Sequence, residues 1–271
     1  MSVVLEDVSF AYFEDDVLCN VNITLAKGLV HLLFGRTGSG KTTLALVLAG
    51  LLKPRCGSVR IDGSDPAAKD FERSRVQLAF QFPESQIFEM TVEKELEYGL
   101  RNFGFDPGEI IERRDWALEC VGLPSEMLPR DPGKLSFGER RKLALASIIA
   151  LKPEYLMLDE PLAGLDWRGR QNLIDAIKNL NDQGLTTIIL THETDIISEI
   201  GDTVTIAAEK TVTGPLGTDD FLHPEHEPDH DLLPEYILAL RAIRGAGLPV
   251  RGKPRRVRDT ATAIAESLRQ S

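Results

Sequence analysis

GRTGSGKT, residues 35–42, stands between the apolar run VHLLF (30–34) and the apolar TLALVLAGLL (43–52). A buried strand that turns through three glycines into a helix is an anion site in outline, because the first N–H groups of a helix have no partner inside it. Eight residues in this spacing, with both flanking elements right, match the phosphate-loop pattern. Gly35, Gly38 and Gly40 let the backbone curl so that successive N–H groups face phosphate oxygens. Lys41 brings a mobile positive charge to the β- and γ-phosphates of a nucleotide such as ATP, and the Thr42 hydroxyl is placed to ligate Mg²⁺. Arg36, Thr37, Ser39 and Thr43 complete the expected cradle.

Such a loop needs an acidic partner at the end of a second buried strand. YLMLDE (155–160) supplies one. Asp159 closes the apolar run, in position to hold Mg²⁺ directly or through water, and Glu160 follows where a carboxylate can polarise an attacking water. Gln81 ends VQLAFQ (76–81) and His192 follows TTIIL (186–190). Both are therefore expected at the C-terminal edge of a parallel sheet, the edge on which α/β proteins build their sites. Gln81 joins Thr42 and Asp159 as a candidate metal ligand; Lys41, Gln81, Glu160 and His192 are the candidate catalytic set.

LSFGER (135–140) opens a further helix. Ser136 and Glu139 have the spacing of a capping box, each side chain bonding the other's backbone N–H. The same turn leaves N–H groups able to hold an anion.

The length of the chain suits one large domain plus a small appendage. Its 271 residues are 42 % hydrophobic and 27 % charged, with a formal net charge of −11, which argues against a protein that coats nucleic acid. Cys19, Cys56 and Cys120 are scattered, giving neither a disulfide framework nor a cysteine metal site. The start MSVVLEDVSF does not read as a signal peptide, and LALVLAGLL (44–52) is too short to span a bilayer. VVLEDVSFAY, VLCNVNITL and VHLLF read as strands, as do SVRIDG, VQLAFQ, YLMLD, TTIIL and, last, VTIAA (204–208). Between about Pro83 and Pro132 the period becomes helical, with starts at Thr91 and Pro107, and 166–182 is a further helix closed by a turn at Gly184. After residue 217 the composition turns acidic. LPEYILALRAIRGAGL and DTATAIAESLRQS then read as two helices, the second capped by Asp259 or Thr260.

In order and spacing, the phosphate loop, strand-end glutamine, LSFGER, YLMLDEP, LAGLD and strand-end histidine closely resemble the ATP-binding cassette of ABC transporters, over about residues 1–217. The resemblance implies an α/β P-loop NTPase fold of ABC type. Its mostly parallel core sheet carries an N-terminal antiparallel β subdomain, a helical insert (83–132) and a small C-terminal subdomain (218–271). It also implies that Ser136 and Gly138 complete the ATP site of a second cassette, either an identical chain or a paralogue. LAGLD (162–166) would then be the loop by which the two sites sense each other, with Asp166 at the contact. Tyr12, ahead of Phe13, matches the aromatic that stacks on adenine. One departure stands out: Phe137 occupies the position of the first glycine in the usual Leu-Ser-Gly-Gly turn.

FQFPESQIF (80–88) is similar to the ATPases of energy-coupling factor transporters, which import vitamins and transition-metal ions such as cobalt and nickel. That likeness implies a transmembrane scaffold docked in a groove near Pro83–Phe88, an integral-membrane substrate-binding component, and a peripheral place on the cytoplasmic side of the cell membrane. It also implies a C-terminal extension that helps hold the dimer. Two other readings remain open: the ATPase of a conventional ABC importer, and a soluble ABC ATPase acting on nucleic acid or ribosomes. The single cassette, short insert and negative charge weigh against the last. His223, His226 and His230 read as incidental members of an acidic linker, and PVRGKPRRVR as a solvated connector.

Overall fold

A computed structural model of the chain describes residues 1–223, 233–245 and 257–270. Two sheets organise it. Strands β1 (Ser2–Tyr12), β2 (Asp15–Ala26) and β4 (Cys56–Ile61) form an antiparallel sheet in the order β2-β1-β4. The second sheet has six strands. Its β3 (Val30–Phe34), β5 (Val76–Ala79), β6 (Tyr155–Asp159), β7 (Thr186–Thr191) and β8 (Thr203–Ala208) are mutually parallel, and β9 (Thr211–Gly217) closes it antiparallel in the order β5-β6-β7-β3-β8-β9.

Every residue of β3, β6 and β7 is buried, as strands covered on both faces must be. The period of two sorts their side chains between two cores. Leu32, Leu156, Leu158 and Ile189 face one core, with Leu143 and Ile149. Leu33, Tyr155, Met157 and Ile188 face the other, with Leu44 and Leu48 of helix α1 (Lys41–Leu48) and the inner face of the antiparallel sheet.

The insert comprises α2 (Val92–Asn102) and α3 (Pro107–Val121), both packed on α4 (Phe137–Ile149). Thr91 caps α2 through Lys94 N–H, and Asp106 and Glu109 form a capping box ahead of Pro107. Buried between the helices, Arg114 pairs with Glu97 at 2.9 Å. Helix α5 (Trp167–Asp182) is capped by Asp166, whose Oδ1 accepts from Gly169 N–H at 2.7 Å. Helices α6 (Asp195–Ile200) and α7 (Thr218–Leu222) lie against each other, and Phe221, Leu222, Leu233 and Ile237 join the same core as Ile196 and Ile197. Helices α8 (Glu235–Gly245) and α9 (Val257–Gln270) pack together. Among the described residues no helix is long and apolar enough to cross a membrane.

Three sequence expectations need correction. The strand VQLAFQ ends at Ala79, because Phe82 adopts a left-handed backbone (φ 58°) ahead of Pro83 and turns the chain away, so Gln81 lies two residues past the strand. VTIAA is not the last strand: β9 returns through a turn in which Glu209 and Lys210 both have positive φ (49° and 68°). Helix α9 starts at Val257, which places Asp259 and Thr260 within it and not at its cap. His226, His230 and most of the basic connector lie outside the described residues.

Candidate active site

The strand order β6-β7-β3 brings three C-terminal strand ends side by side, and the chemistry sits on them. The loop 35–40 leaves the end of β3, and Gly35 N–H donates to Thr191 O at the end of β7. A side chain at Gly35 has no room: a Cβ there would lie 2.4 Å from Ala207 O and 2.7 Å from Ser39 Oγ. Gly40, directly before α1, has φ 93°, a value that favours glycine. Together these let the loop fold back tightly enough for its N–H groups to converge. The Ser39 hydroxyl beneath them is buried and has no hydrogen-bond partner among the described residues, as expected of a group that serves a ligand.

Lys41 and Thr42 begin α1. The Lys41 ammonium curls over the loop, donating to Gly35 O (2.6 Å) and Arg36 O (3.1 Å). Burial pushes it below the ordinary lysine value, against the opposing pull of Glu160 and Asp159. Thr42 Oγ1 donates to Asp159 Oδ2 at 2.7 Å, so the hydroxyl of the first site meets the carboxylate of the second directly.

Glu160 is the strained member. Its backbone is left-handed (φ 46°), a conformation that costs a non-glycine residue on the order of 1–3 kcal/mol and persists only when its surroundings fix it. They do so from both sides. Its N–H donates to Leu190 O at 2.9 Å, and its carbonyl accepts from Arg141 Nη2 and from Ala163 N–H, each at 3.2 Å. The result aims the carboxylate at His192, with Oε1 2.7 Å from Nδ1, while Thr191 Oγ1 donates to Oε2 at 3.3 Å.

Thr37, Gly38, Gly40, Lys41, Thr42 and Thr43 share one cavity of ≈ 310 Å³ with Gln81, Asp159, Glu160 and His192. Gly35, Arg36 and Ser39 belong to the same loop beneath it. Tyr12 is outside the wall of this cavity, at the end of β1, half exposed and edge-to-face with Phe10. Ser136 and Gly138 are elsewhere too. Ser136 caps α4, with Oγ accepting from Glu139 N–H (3.3 Å) while Glu139 Oε2 accepts from Ser136 N–H (2.7 Å). Those bonds hold the Glu139 carboxyl below the usual carboxylate range. Gly138 borders a second, largely apolar cavity of ≈ 230 Å³ with Phe80, Pro83 and Asp166.

Sequence reasoning does not find Thr191, Val17 or Arg141. Thr191 and Val17 stand within strand-like runs, and only the fold turns them toward the site. Arg141 stands in a basic run at a helix start, where nothing signals burial; the structure leaves it 4 % exposed.

Comparison with known proteins agrees with this geometry. The profile of the ABC transporter family matches residues 18–163. A putative ABC transporter ATP-binding protein of Methanosarcina acetivorans is 36 % identical over 92 % of this chain and 88 % of its own length. The energy-coupling factor transporter ATP-binding protein EcfA2 of Latilactobacillus sakei is 39 % identical, over 76 % of this chain and 75 % of its own. Among solved structures, cbiO1 from Clostridium perfringens, described as part of the ABC transporter complex cbiONQ, superposes with a TM-score of 0.75 at 26 % identity, covering 89 % of this chain and 94 % of its own. With its phosphate loop, Asp-Glu pair and strand-end histidine on adjoining strands, the chain belongs to the ATP-hydrolysing, ATP-binding subunits of the ABC transporter family and is closely related to the energy-coupling factor ATPases.

Proposed function

We propose that this chain drives an energy-coupling factor importer of a vitamin or a transition-metal ion from the cytoplasmic side of the cell membrane, as one of two cassettes closing around two ATP molecules. The observation that carries the catalytic part is the Glu160–His192 contact at 2.7 Å beside the Thr42–Asp159 contact at 2.7 Å. The cassette proper is residues 1–217, and 218–271 forms a small subdomain that helps hold the pair together.

Phosphates sit in the cradle of residues 35–43, with Lys41 over the β- and γ-groups and Tyr12 stacked on adenine. Thr42, Asp159 and Gln81 offer hydroxyl, carboxylate and amide oxygens, the hard donor set that suits Mg²⁺. Bound there, the ion would neutralise charge on the phosphate oxygens. Glu160 aligns and polarises water for in-line attack, and His192 holds that carboxylate and the γ-phosphate in register. Ser136 and the Gly138 N–H of each chain face the γ-phosphate held by the other, at the positive end of α4. Hydrolysis removes the group that joins the halves.

The membrane partner engages the surface around Pro83–Phe88. Phe88 is 61 % exposed and meets Tyr98 edge-to-face at 4.7 Å; Met90 and Phe82 are exposed beside them in sequence. An apolar face of this kind on a well-packed insert suits a protein partner. The scaffold would carry the transport path and a separate integral-membrane component would select the cargo, in keeping with the kinship to EcfA2 and to cbiO1 of the cbiONQ complex.

The test is Glu160→Gln. It should bind ATP with unchanged affinity, hydrolyse it at least about a hundredfold more slowly, and run as a dimer with ATP in size-exclusion chromatography. A variant that turns over normally, or stays monomeric with ATP, refutes the reading. Affinity purification from detergent-solubilised membranes should bring down one scaffold and one small membrane protein; recovery of a soluble binding protein instead would favour a conventional importer.

A further inference from the structure

We propose that Arg141 is a positioning residue for Glu160, and that through Glu84 it ties the catalytic carboxylate to the surface around Pro83–Phe88. The inference rests on the role given to Glu160 above.

Arg141 lies one turn into α4 and is almost wholly buried. Two backbone carbonyls of one segment and a carboxylate from another converge on it. Nη1 donates to Ala163 O at 2.8 Å, in the LAGLD loop; Nη2 donates to Glu160 O at 3.2 Å; and Nη1 lies 4.0 Å from Glu84 Oε2, in the turn Pro83–Gln86. One guanidinium thus joins the helix opened by LSFGER, the LAGLD loop, the strained backbone of the catalytic glutamate and the turn beside the exposed aromatic face. The planar fork of arginine brings two separate nitrogens to these two carbonyls, where lysine would bring a single one.

Glu84 makes this more than a buried brace. Its side chain is 8 % exposed, and Oε2 has no hydrogen-bond partner among the described residues. A buried carboxylate oxygen without a hydrogen bond is unfavourable, and closing the 4.0 Å gap to Nη1 would relieve it. Nη1 carries two hydrogens and already serves Ala163 with one of them, so it can hold Glu84 with the other. A shift of the turn then pulls on the guanidinium through the ion pair, and the bond to Ala163 carries that pull to the LAGLD loop. The Phe137 ring of α4 also lies near that loop, where a Cβ built at Gly164 would be 3.9 Å from it. The Glu160 carbonyl is held by Arg141 Nη2 and by the N–H of Ala163, the residue whose own carbonyl Arg141 also holds. Both supports move with the guanidinium, so Glu160 registers the shift as a change in carboxylate aim.

Purified full-length chain decides the matter, using steady-state ATP hydrolysis beside equilibrium binding of a fluorescent ATP analogue. Arg141→Met should lower kcat by about tenfold to a hundredfold, the range expected when a reacting group is misplaced by roughly 1 Å, with analogue affinity and KM within about twofold of wild type. Arg141→Lys should recover part of that loss by restoring one of the two carbonyl bonds. Glu84→Gln, which leaves both carbonyl bonds in place, should change kcat without changing affinity. Wild-type kcat in Arg141→Met, a loss of affinity parallel to the loss of kcat, or wild-type kcat in Glu84→Gln would overturn the proposal. Should Arg141→Met not fold, Glu84→Gln and Arg141→Lys carry the test on the same criteria. Glu160→Gln measured alongside keeps the premises apart: normal turnover in that variant refutes the role of Glu160 whatever the Arg141 variants do.

Discussion

His192 Nδ1 and Glu160 Oε1 lie 2.7 Å apart, although 32 residues separate them in sequence, because β6 and β7 are neighbours and each residue follows its strand directly. The histidine therefore meets the carboxylate with Nδ1, and the role proposed for it toward the γ-phosphate falls to Nε2. His192→Ala should leave nucleotide affinity within about twofold and lower kcat by about a hundredfold, the scale of a lost proton-transfer or positioning group. Paired measurements of analogue binding and steady-state hydrolysis check this. Equal losses in both would make His192 a binding residue only.

Gly35 tests the cradle without touching its charges. In Gly35→Ala the new methyl would lie 2.4 Å from Ala207 O, and strand backbone cannot easily yield. The loop must shift instead, carrying its N–H groups off target. ATP affinity should fall by about tenfold or more while the fold persists, since mispositioned hydrogen bonds to a charged group are worth about 1.5–3 kcal/mol. Isothermal calorimetry with circular dichroism separates the two effects; wild-type affinity would show that the loop tolerates the methyl.

The site is largely legible in the sequence because its groups sit at the ends of short apolar runs. A strand end names both a position in the sheet and an edge, so Lys41, Asp159, Glu160 and His192 converge from the sequence alone. The remaining features have no local signature. Strand β9 is hidden because its hairpin turns on Glu209 and Lys210, where a turn with two positive φ values ordinarily announces itself by Asn or Gly. Arg141 looks like its neighbours Arg140 and Lys142, since burial of a cation is decided by acceptors 19 and 22 residues further on. Gln81 falls two residues beyond its strand because the left-handed Phe82 turns the chain early.

Glu95 organises the exposed aromatic face from beneath. It is buried, and Oε2 accepts from Phe88 N–H (3.1 Å) and Glu89 N–H (3.0 Å), fixing the segment that presents Phe88. Glu95→Ala leaves two N–H groups without their acceptor and lets that segment wander. Nucleotide affinity should be unchanged, while affinity for the reconstituted membrane partner falls by about tenfold, consistent with two lost charge-assisted bonds partly replaced by water. Pull-down against the membrane complex, with nucleotide binding assayed in parallel, reads both. Undiminished capture would mean that Phe88 does not dock.

His31 gives the fold an acid-sensitive point far from the chemistry. It is buried in β3, where Nε2–H donates to Ala26 O and Nδ1 accepts from the Thr203 hydroxyl, both at 2.7 Å. A carbonyl can only accept, so the neutral ring with its proton on Nε2 satisfies both bonds. Burial is the larger influence and holds the pKa below the ordinary 6.5, against smaller opposing effects of Ala26 and Asp202. Below that value the unfolded chain binds a proton that the folded chain refuses, so stability rises with pH. The contribution is complete above about pH 6.5 and is lost as pH falls through the lower folded value, with a slope of at most about 1.4 kcal/mol per pH unit for one proton. In urea titrations between pH 5 and 8, His31→Gln should be less stable than wild type at pH 8 and show a shallower decline toward pH 5. Parallel declines in the two proteins would mean that His31 is not the group that titrates.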